Sequence, residues 1–418
     1  MKKYFYVIVL LTCFSFSVLA QTPPQRCASF TMLQQELQND PAFLQQYMQD
    51  TAAISASMNQ YPYETIGDRS VVTIPVVVHV IYNTTAQNIS DAQVISQITA
   101  LNKDYQSWNS DTTSLPAIYH SVHGNPKVAF CLAHTSPTGA YTTGIEHIHT
   151  NTTSFTDTDG DKVKNPTYGA AAWDRNNYLN IWVCNLGGGL LGYSTFPGGN
   201  AAKDGCVILY TAFGTIGNLL SAYDLGRTVT HEVGHWFALY HIWGDDGTSC
   251  SGSDLISDTP NQADENYGCP SGTNSSCSNS GDMSMNYMDY TDDACMYMFT
   301  KGQATKINSV LNTSRLSIKS STKCNTPSDI PVNELYILFG ISPNPTTGII
   351  NLYAEYPSYK NLTVEVYNVT GQQVYSNHFY MGGVDVQTID LSAMNNGMYL
   401  VKVSDGKNNL TKQIILQK

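Results

Sequence analysis

Residues 231–241 read HEVGHWFALYH, and this stretch decides how the central part of the chain must fold. His231 and His235 are four residues apart, so on a helix their imidazole rings lie on one face and can bind the same ion. Glu232 can take a proton from a metal-bound water. His241 is out of helical phase with the pair and joins it only if the chain turns sharply after His235. Three neutral nitrogen ligands with one open position are typical of catalytic zinc, which lowers the pKa of its water to about 7.

The same stretch also fits an amphipathic core helix whose histidines make only structural hydrogen bonds. The third histidine favours the metal site, because an accidental HExxH pair rarely has another histidine at this offset. We therefore expect His231, His235 and His241 to bind zinc.

The pattern resembles the metzincin signature HExxHxxGxxH, in which a glycine ends the helix and lets the third ligand swing in. Ala238 stands at the glycine position. If Ala238 must adopt a positive φ, the backbone strain is about 1–2 kcal/mol. The free energy of zinc binding is several times larger than this strain.

A second motif lies downstream, where residues 286–300 read NYMDYTDDACMYMFT. It is similar to the Met-turn of the pappalysin branch of metzincins, the ulilysin-like and cytophagalysin-like peptidases of family M43. The resemblance implies that Met288 forms an apolar floor under the zinc and that Tyr290 stabilises the oxyanion of a tetrahedral intermediate. It also places Asp293 in the S1′ pocket, where a carboxylate favours arginine over lysine. An aspartate that only caps a turn is the alternative.

Further stretches carry the same likeness over residues 70–325. They are YLNIWVCNL (178–186), GYSTFPG (192–198), GRTVTHEVGHW (226–236), DTP (258–260) and the FTKGQ that begins at Phe299.

The pattern of apolar residues predicts an α/β domain over residues 69–325, which the resemblance identifies as a metzincin catalytic domain. VVTIPVVVHVIY (71–82) is typical of a central strand, and residues 127–134, 178–186 and 204–214 predict further strands. Residues 90–108 predict a helix that begins with a Ser90/Gln93 capping box and packs Trp108 on the sheet. The predicted fold is a mixed twisted sheet with the active-site helix as its floor, followed by a loop-rich lower subdomain.

Composition and the N-terminus indicate an exported protein with several parts. The 418 residues suggest two or three folded units. A net charge of −12 argues against nucleic acid and anionic membrane surfaces as partners. Residues 1–20 predict a cleavable signal peptide, and no other stretch predicts a membrane span. Residues 21–68 predict a helical, weakly packed pro-segment.

The C-terminal part follows a linker at residues 326–334. Residues 335–418 alternate apolar residues with Asn-Gly, Thr-Gly and Asp-Gly turns, which predicts a small β-sandwich. SPNPTTG, VYNVTGQ, NNGMYLVKV and KQIILQK resemble the type A sorting domain of the type IX secretion system. The resemblance implies that the secretion machinery is a partner and that the protein is secreted or held at the cell surface. A carbohydrate-binding or adhesin-type accessory sandwich is the alternative.

Two acidic stretches are candidates for structural calcium. The resemblance favours Asp254, Asp258 and Thr259, because pappalysin-like enzymes bind calcium in this loop, and carboxylate and hydroxyl oxygens suit a hard cation. DTDGD at residues 157–161 lacks the glycine and glutamate that an EF-hand requires, so we expect a solvated acidic turn there.

Nine cysteines remain after the predicted signal peptide is removed, so at least one is outside a disulfide. Four of them lie in the loop-rich lower half and allow three pairings. The family resemblance favours Cys250–Cys277 and Cys269–Cys295. Cys131–Cys324 and Cys184–Cys206 are the remaining expected pairs.

Cys27 is the odd thiol and stands near the predicted mature N-terminus. A thiolate is a strong zinc ligand, so Cys27 is expected to occupy the water position in a latent form, as cysteine switches do in related metzincins. The alternative is a Cys27 that pairs elsewhere or has no such role. Activation then requires a cut between pro-segment and first strand, and Asp68–Arg69 offers an arginine after the turn-forming Gly67.

These features predict a secreted zinc endopeptidase that is made as a latent precursor and cleaves on the amino side of arginine. A surface protein with a structural metal site is one alternative, although such a site needs four closed protein ligands and no base. A zinc amidase or esterase is another, since it uses the same ligands.

Overall fold

The computed structural model describes residues 26–63, 70–272, 274–325, 327, 338–406 and 409–418. The predicted signal peptide and the predicted processing site at Asp68–Arg69 lie outside these residues. Within them, no helix has both the length and the apolar character needed to cross a membrane.

The described residues form five α-helices and thirteen strands. The helices are α1 (Ser29–Asn39), α2 (Pro41–Gln60), α3 (Asp91–Tyr105), α4 (Arg227–Trp236) and α5 (Lys301–Asn312). The strands of the central part are β1 (Val72–Tyr82), β2 (His123–Gly124), β3 (Val128–Leu132), β4 (Ile145–His149), β5 (Leu179–Cys184), β6 (Gly192–Ser194), β7 (Cys206–Leu209) and β8 (Phe299–Thr300). The C-terminal strands are β9 (Leu338–Ser342), β10 (Ile349–Asn368), β11 (Gln373–Asp390), β12 (Gly397–Ser404) and β13 (Asn409–Leu416).

Strand β1 lies inside a six-stranded sheet, as its run of β-branched residues predicts, because almost every residue of VTIPVVVHVIY is buried. The strand order is β3-β1-β5-β7-β6, and β4 also pairs with β1. Strand β6 is antiparallel to β7, whereas the other pairs are parallel. Helix α4 packs against this edge strand so closely that a Cβ on Gly192 would lie 2.9 Å from Cγ of Glu232. The mixed sheet with helix α4 packed against it confirms the predicted α/β fold.

Helix α3 packs on the sheet but ends three residues earlier than the apolar spacing predicted. Ser90 caps the helix by accepting a hydrogen bond from the Gln93 N–H (3.3 Å). The Gln93 side chain does not complete the predicted capping box, because its amide donates to the carbonyl of Phe213 (2.8 Å) instead. Trp108 is 59% exposed, so its predicted packing is wrong. The positive φ of Ser107 (55°) directs the chain away from the helix axis.

Helices α1 and α2 pack more tightly than the predicted weakly packed segment. Leu33, Phe43 and Ile54 are at most 6% exposed and belong to the same apolar cluster as the sheet. Asp40 separates the two helices and caps α2 by accepting hydrogen bonds from two backbone N–H groups. Leu44 and Met48 are exposed, so the packing rests on these few buried side chains, and composition alone understated it.

Three disulfides hold the central part together, and all three were expected. Cys131–Cys324 joins β3 to the end of the central part, and Cys250–Cys277 and Cys269–Cys295 cross-link the loop-rich lower half. The expected Cys184–Cys206 pair is wrong, since both residues are buried outside any disulfide. Cys184 is paired with Leu209 and Cys206 with Ile181 in the β5–β7 register. The two side chains therefore point to opposite faces of the sheet and cannot meet.

Residues 157–160 of the DTDGD stretch form the expected turn and are exposed or half-buried, whereas Asp161 is not solvated. Asp161 is 7% exposed, and its carboxylate pairs with Lys164 (3.1 Å) and Lys203 (3.0 Å). These two ammonium groups keep the pKa of Asp161 below its usual range despite burial, so lysine side chains neutralise the charge that a cation would otherwise balance.

The C-terminal strands form one five-stranded sheet in the order β11-β10-β12-β13, with β9 also paired to β10. The long β10–β11 hairpin pairs with β9 near its open end and with β12 near its turn. Residues from both halves share one buried cluster, which gives the two layers of a sandwich. This confirms the β-sandwich prediction.

Candidate metal centre

Helix α4 and the turn that follows it bring the three predicted zinc ligands together. His231 and His235 lie one turn apart on the buried face of α4. The helix ends at Trp236, and the N–H of Leu239 donates back to the carbonyl of Gly234 (3.0 Å). Ala238 takes a positive φ of 64° in this turn, as expected for the glycine position of the signature. The turn reverses the chain, so His241 faces the pair.

The imidazoles are oriented for a cation. Their Nε2 atoms are 3.1 to 3.2 Å apart. The Nδ1–H of His231 donates to the carbonyl of Tyr287 (2.8 Å), and that of His235 donates to the carbonyl of Leu239 (2.8 Å). The Nδ1–H of His241 donates to the carboxylate of Asp245 (2.6 Å). Because these acceptors hold the protons on Nδ1, the three Nε2 lone pairs converge. Lone pairs this close repel one another unless a cation lies between them, so the donor set fits zinc.

Burial keeps the His231 and His235 rings neutral, the form that binds metal. Desolvation and neighbouring His241 lower the pKa of His231 to about 3. Desolvation and the other two histidines lower the pKa of His235 well below its usual value.

Cys27 in the N-terminal segment places a fourth potential ligand atom beside the histidines. Among the described residues, Cys27, His231, His235 and His241 form the group that could hold a metal, with all four ligand atoms within 4.8 Å of one another. Cys27 reaches the site because it forms a parallel bridge with Gly192 of the edge strand β6. Burial, followed by the charge of Glu232, raises the pKa of the Cys27 thiol. A bound cation reverses this shift, since a coordinating thiol loses its proton.

Glu232 is also engaged by the pro-segment. Ser29 Oγ donates to Glu232 Oε2 (2.7 Å) and accepts from the N–H of Ser194 in β6 (2.8 Å). Burial raises the pKa of Glu232 to about 7, which the hydrogen bonds from Ser29 and Cys27 oppose. Residues 27–29 thus contact both the histidine cluster and the glutamate.

The Met-turn lies beneath the histidines. Met288 is fully buried, and a Cβ on Gly234 would lie 2.4 Å from its sulfur, so α4 can approach this residue only with glycine there. The Tyr290 ring contacts those of His231 and His241, with centroids 5.6 and 5.0 Å away, and its hydroxyl donates to the carbonyl of Cys27 (3.4 Å). Both residues therefore lie at the metal centre.

Asp293 lies on the wall of a cavity beside the centre. This cavity is also lined by Arg26, Thr228 and Met296. Asp293 Oδ2 accepts hydrogen bonds from the N–H groups of Leu225 (2.9 Å) and Arg227 (3.1 Å) at the start of α4. The carboxylate therefore caps that turn as well as facing the cavity.

The calcium candidates lie in one loop, and several of their oxygen atoms already accept hydrogen bonds from protein groups. Both carboxylate oxygens of Asp254 accept from the Thr259 hydroxyl (2.8 Å each). Asp258 Oδ2 accepts from the N–H of Gly302 (2.8 Å), whereas its Oδ1 is buried without a hydrogen-bond partner. Calcium binding by these three residues stays a prediction.

Sequence reasoning missed three groups at the site: Ser29, Arg26, and the tyrosines 223 and 267 that contact Arg26. Ser29 is two residues after the expected zinc ligand Cys27, which was the only local signal available. The tyrosines lie 197 and 241 positions from Arg26 in the chain (223 − 26 and 267 − 26), so no local pattern links them.

The strained turn gives a test of stability. Replacing Ala238 with glycine should relieve backbone strain of about 1–2 kcal/mol in the folded state. The greater conformational entropy of the unfolded chain should offset roughly 0.4–1 kcal/mol of this gain. We expect the free energy of unfolding to rise by about 0.5–1 kcal/mol, measured by urea unfolding in the Glu232→Ala background to prevent autolysis. Ala100→Gly, inside α3, is the control and should lower stability by about 1 kcal/mol. A loss of stability in Ala238→Gly would show that the turn is not strained.

Comparison with known families gives two matches. Residues 159–312 match the peptidase family M43 described as Pregnancy-associated plasma protein-A, and residues 340–417 match the Secretion system C-terminal sorting domain. The first match contains the histidine cluster and the Met-turn, and the second covers the C-terminal sandwich.

Individual proteins show the same likeness. An extracellular metalloprotease of Arthroderma otae is 34% identical over 243 residues, which are 56% of this chain and 76% of the relative. Mature mirolysin of Tannerella forsythia in complex with a cleaved peptide is 50% identical, with a TM-score of 0.58, over 60% of this chain and 97% of that chain. A promirolysin mutant from the same organism is 45% identical, with a TM-score of 0.65, over 71% of this chain and 97% of the other.

Proposed function

The chain belongs to the pregnancy-associated plasma protein-A family of metallopeptidases, and we propose that it is a latent zinc endopeptidase that cleaves on the amino side of arginine. The relatives and the sorting domain make it a secreted or cell-surface metalloendopeptidase with peptide substrates. The sorting domain also implies the secretion machinery as a partner. Family membership removes the alternative of a non-enzymatic surface protein. The convergence of three histidine Nε2 atoms beside a buried glutamate is the observation that carries the proposal.

His231, His235 and His241 are the residues that would hold the zinc ion. A zinc ion in this site supplies a Lewis acid that polarises a peptide carbonyl and acidifies water. Glu232 lies next to the first ligand and is not needed as a ligand itself, which fits a base rather than a closed structural site. In the proposed reaction, Glu232 accepts a proton from the attacking water and passes it to the leaving amine. Tyr290 would donate its hydroxyl hydrogen to the developing oxyanion, and Met288 would support the ligands from below.

Residues 27–29 are the basis for latency. Cys27 offers its sulfur to the histidine cluster, and Ser29 donates to the carboxylate of Glu232. These residues also lie against the edge strand β6, where the N–H of Ala28 donates to the carbonyl of Gly192 (3.2 Å). A substrate needs the same edge, cation and base. Cys27 would therefore be a zinc ligand in the precursor and leave when the pro-segment does.

Processing at Asp68–Arg69 would release this segment and start the catalytic domain at Arg69. The proposed division is a pro-segment at 21–68, a catalytic domain at 69–325, a linker at 326–334 and a sorting domain at 335–418. The proposed preference for arginine matches the residue that follows the cut.

The preference for arginine is supported by acidic residues at the cavity, Asp293 among them, and it can be tested directly. We expect a peptide library digested by the mature enzyme to show arginine as the preferred residue immediately after the scissile bond (P1′), with lysine accepted less well because it lacks the planar fork. Mass spectrometry of the products measures this profile. A profile without a basic preference at P1′ would refute the proposed specificity and leave the peptidase activity in place. Cleavage of esters or simple amides but not of peptides would favour the amidase or esterase alternative.

A further inference from the structure

Asp104, the last residue but one of helix α3, is a buried carboxylate that contacts helix α4. Its side chain is 1% exposed, and its Oδ1 lies 2.8 Å from Nη1 of Arg227, the first residue of α4. Its Oδ2 accepts a hydrogen bond from the hydroxyl of Thr230 (2.6 Å). Burial raises the pKa of Asp104 to about 6, and the charge of Arg227 and the hydrogen bond from Thr230 oppose this shift. One carboxylate therefore holds two of the first four residues of the helix that carries the zinc ligands.

The same carboxylate also holds Tyr287 of the Met-turn. The Tyr287 hydroxyl donates to Asp104 Oδ1 (3.1 Å) and accepts a hydrogen bond from Nη1 of Arg227. The Tyr287 N–H donates to the carbonyl of Met298 (3.0 Å), so the side chain and the backbone of this residue are both fixed. Its own carbonyl accepts the Nδ1–H of His231 (2.8 Å). The position of that carbonyl therefore depends on contacts that Asp104 makes.

The acceptor of an Nδ1 proton fixes the tautomer and the orientation of a ligand histidine, and loss of such a partner typically weakens metal binding about 10–100-fold. The other two histidines use acceptors only four residues further along the chain, in Leu239 and Asp245. The acceptor of His231 lies 56 residues away in sequence. The orientation of His231 therefore requires that two distant segments keep a fixed relative position, and Asp104 is hydrogen-bonded to both.

We propose that Asp104 is a positioning residue for the zinc ligand His231 and that it acts through Tyr287. This inference rests on the proposed zinc site and adds to it a residue on α3 that is not itself a ligand. An ionised carboxylate accepts hydrogen bonds on both oxygens, whereas an amide offers one acceptor oxygen. Only the carboxylate can therefore hold Thr230 on one oxygen and the Arg227–Tyr287 pair on the other.

The zinc affinity of the full-length chain tests this role without requiring peptidase activity. Competition with a chelator gives the Kd for zinc in the Glu232→Ala background, which prevents autolysis. We expect Asp104→Asn to raise this Kd about 10–100-fold and Tyr287→Phe to raise it about tenfold. Phenylalanine keeps the ring and the backbone carbonyl and removes only the hydroxyl. Because both substitutions break one link, the double variant should have nearly the Kd of Asp104→Asn alone.

Asp204→Asn is the matched control. The Asp204 side chain is also 1% exposed, is paired with Arg315 (3.0 Å) and accepts a hydrogen bond from the indole N–H of Trp236 (2.7 Å), the residue after His235. This aspartate therefore also secures α4, but it contacts no residue that accepts an Nδ1 proton from the three histidines. Both aspartate variants should lower the urea midpoint of the chain, measured with chelator present, whereas only Asp104→Asn should weaken zinc binding.

Loading the same chains with Co²⁺ alone gives a second readout, because the visible absorption of this ion reports the geometry of its ligands. Asp104→Asn and Tyr287→Phe should change the position or intensity of the absorption bands, since the His231 ring is no longer held in one orientation. Asp204→Asn should reproduce the parent spectrum. If Asp104→Asn does not fold, Tyr287→Phe decides the question, because it leaves every charge in place.

The outcomes separate this inference from the proposed function. A parent chain that binds no zinc would refute the proposed zinc site. A parent that binds zinc, with Asp104→Asn and Tyr287→Phe chains that bind it as tightly and give the same cobalt spectrum, would overturn the positioning role and leave the zinc site in place. An equal loss of zinc affinity in Asp204→Asn would also overturn it, because general destabilisation of α4 would then account for the effect.

Discussion

Replacing Glu232 with alanine is expected to lower the kcat/KM of the matured enzyme by about 10²–10⁴-fold while the protein keeps its fold and its zinc. The Glu232 carboxylate is buried beside the histidines and can accept a proton without being needed as a ligand. Its loss removes the base and leaves the three imidazoles and their Nδ1 partners unchanged. Turnover of a fluorogenic arginine peptide, zinc content by atomic absorption and circular dichroism measure the three quantities.

Two further variants make this result specific. Glu232→Gln preserves the shape and the hydrogen bonding of the side chain but not its basicity, so it should be as inactive as Glu232→Ala. His241→Ala should lose zinc as well as activity, because one of three convergent Nε2 atoms is gone. Substantial turnover by Glu232→Gln with zinc bound would contradict the role of Glu232 as the base.

The part of the site that could be predicted from the sequence is the part held together by local structure. His231 and His235 are brought together by the period of one helix. The positive φ of Ala238 could be predicted because Ala238 stands at the glycine position of the signature, where the turn requires it. Met288 and Tyr290 are 47 and 49 positions beyond His241 (288 − 241 and 290 − 241). They were assigned through a family resemblance rather than through spacing, because nothing local connects a loop methionine to a helix.

The remaining contacts depend on sheet register and long-range packing. Cys184 and Cys206 lie on adjacent strands, as the sequence suggested, but the register places their side chains on opposite faces. Sequence reasoning chose Cys27 by resemblance and by a parity count that assumed a Cys184–Cys206 disulfide, which is not formed. It could not identify Ser29, whose partner Glu232 is 203 residues away, because that contact requires the pro-segment to pair with β6.

Cys27 gives the second large effect that we expect. In the full-length precursor, Cys27→Ala should raise the basal peptidase activity by about 10–100-fold. We take the Cys27 contact to be as strong as a hydrogen bond to a charged group, roughly 1.5–3 kcal/mol, and each 1.4 kcal/mol is a factor of ten. Ser29→Ala removes the hydrogen bond to Glu232 and should raise the activity over the same range while Cys27 remains in place. Initial rates on an arginine peptide, measured before any processed band appears on a gel, determine both.

Cys184→Ala is the matched control for the thiol, since Cys184 is buried and outside any disulfide but faces the other side of the sheet from Cys206. It should leave the precursor latent. The Glu232→Ala precursor, which keeps Cys27 and Ser29, should remain uncut when produced without other proteases, whereas the wild type acquires Arg69 as its N-terminus. A Cys27→Ala precursor as latent as the wild type would exclude the thiol latch. The same cut in the inactive precursor, detected by N-terminal sequencing, would exclude self-processing. The two results are independent, because initial rates report the latch and the N-terminal sequence reports the cut.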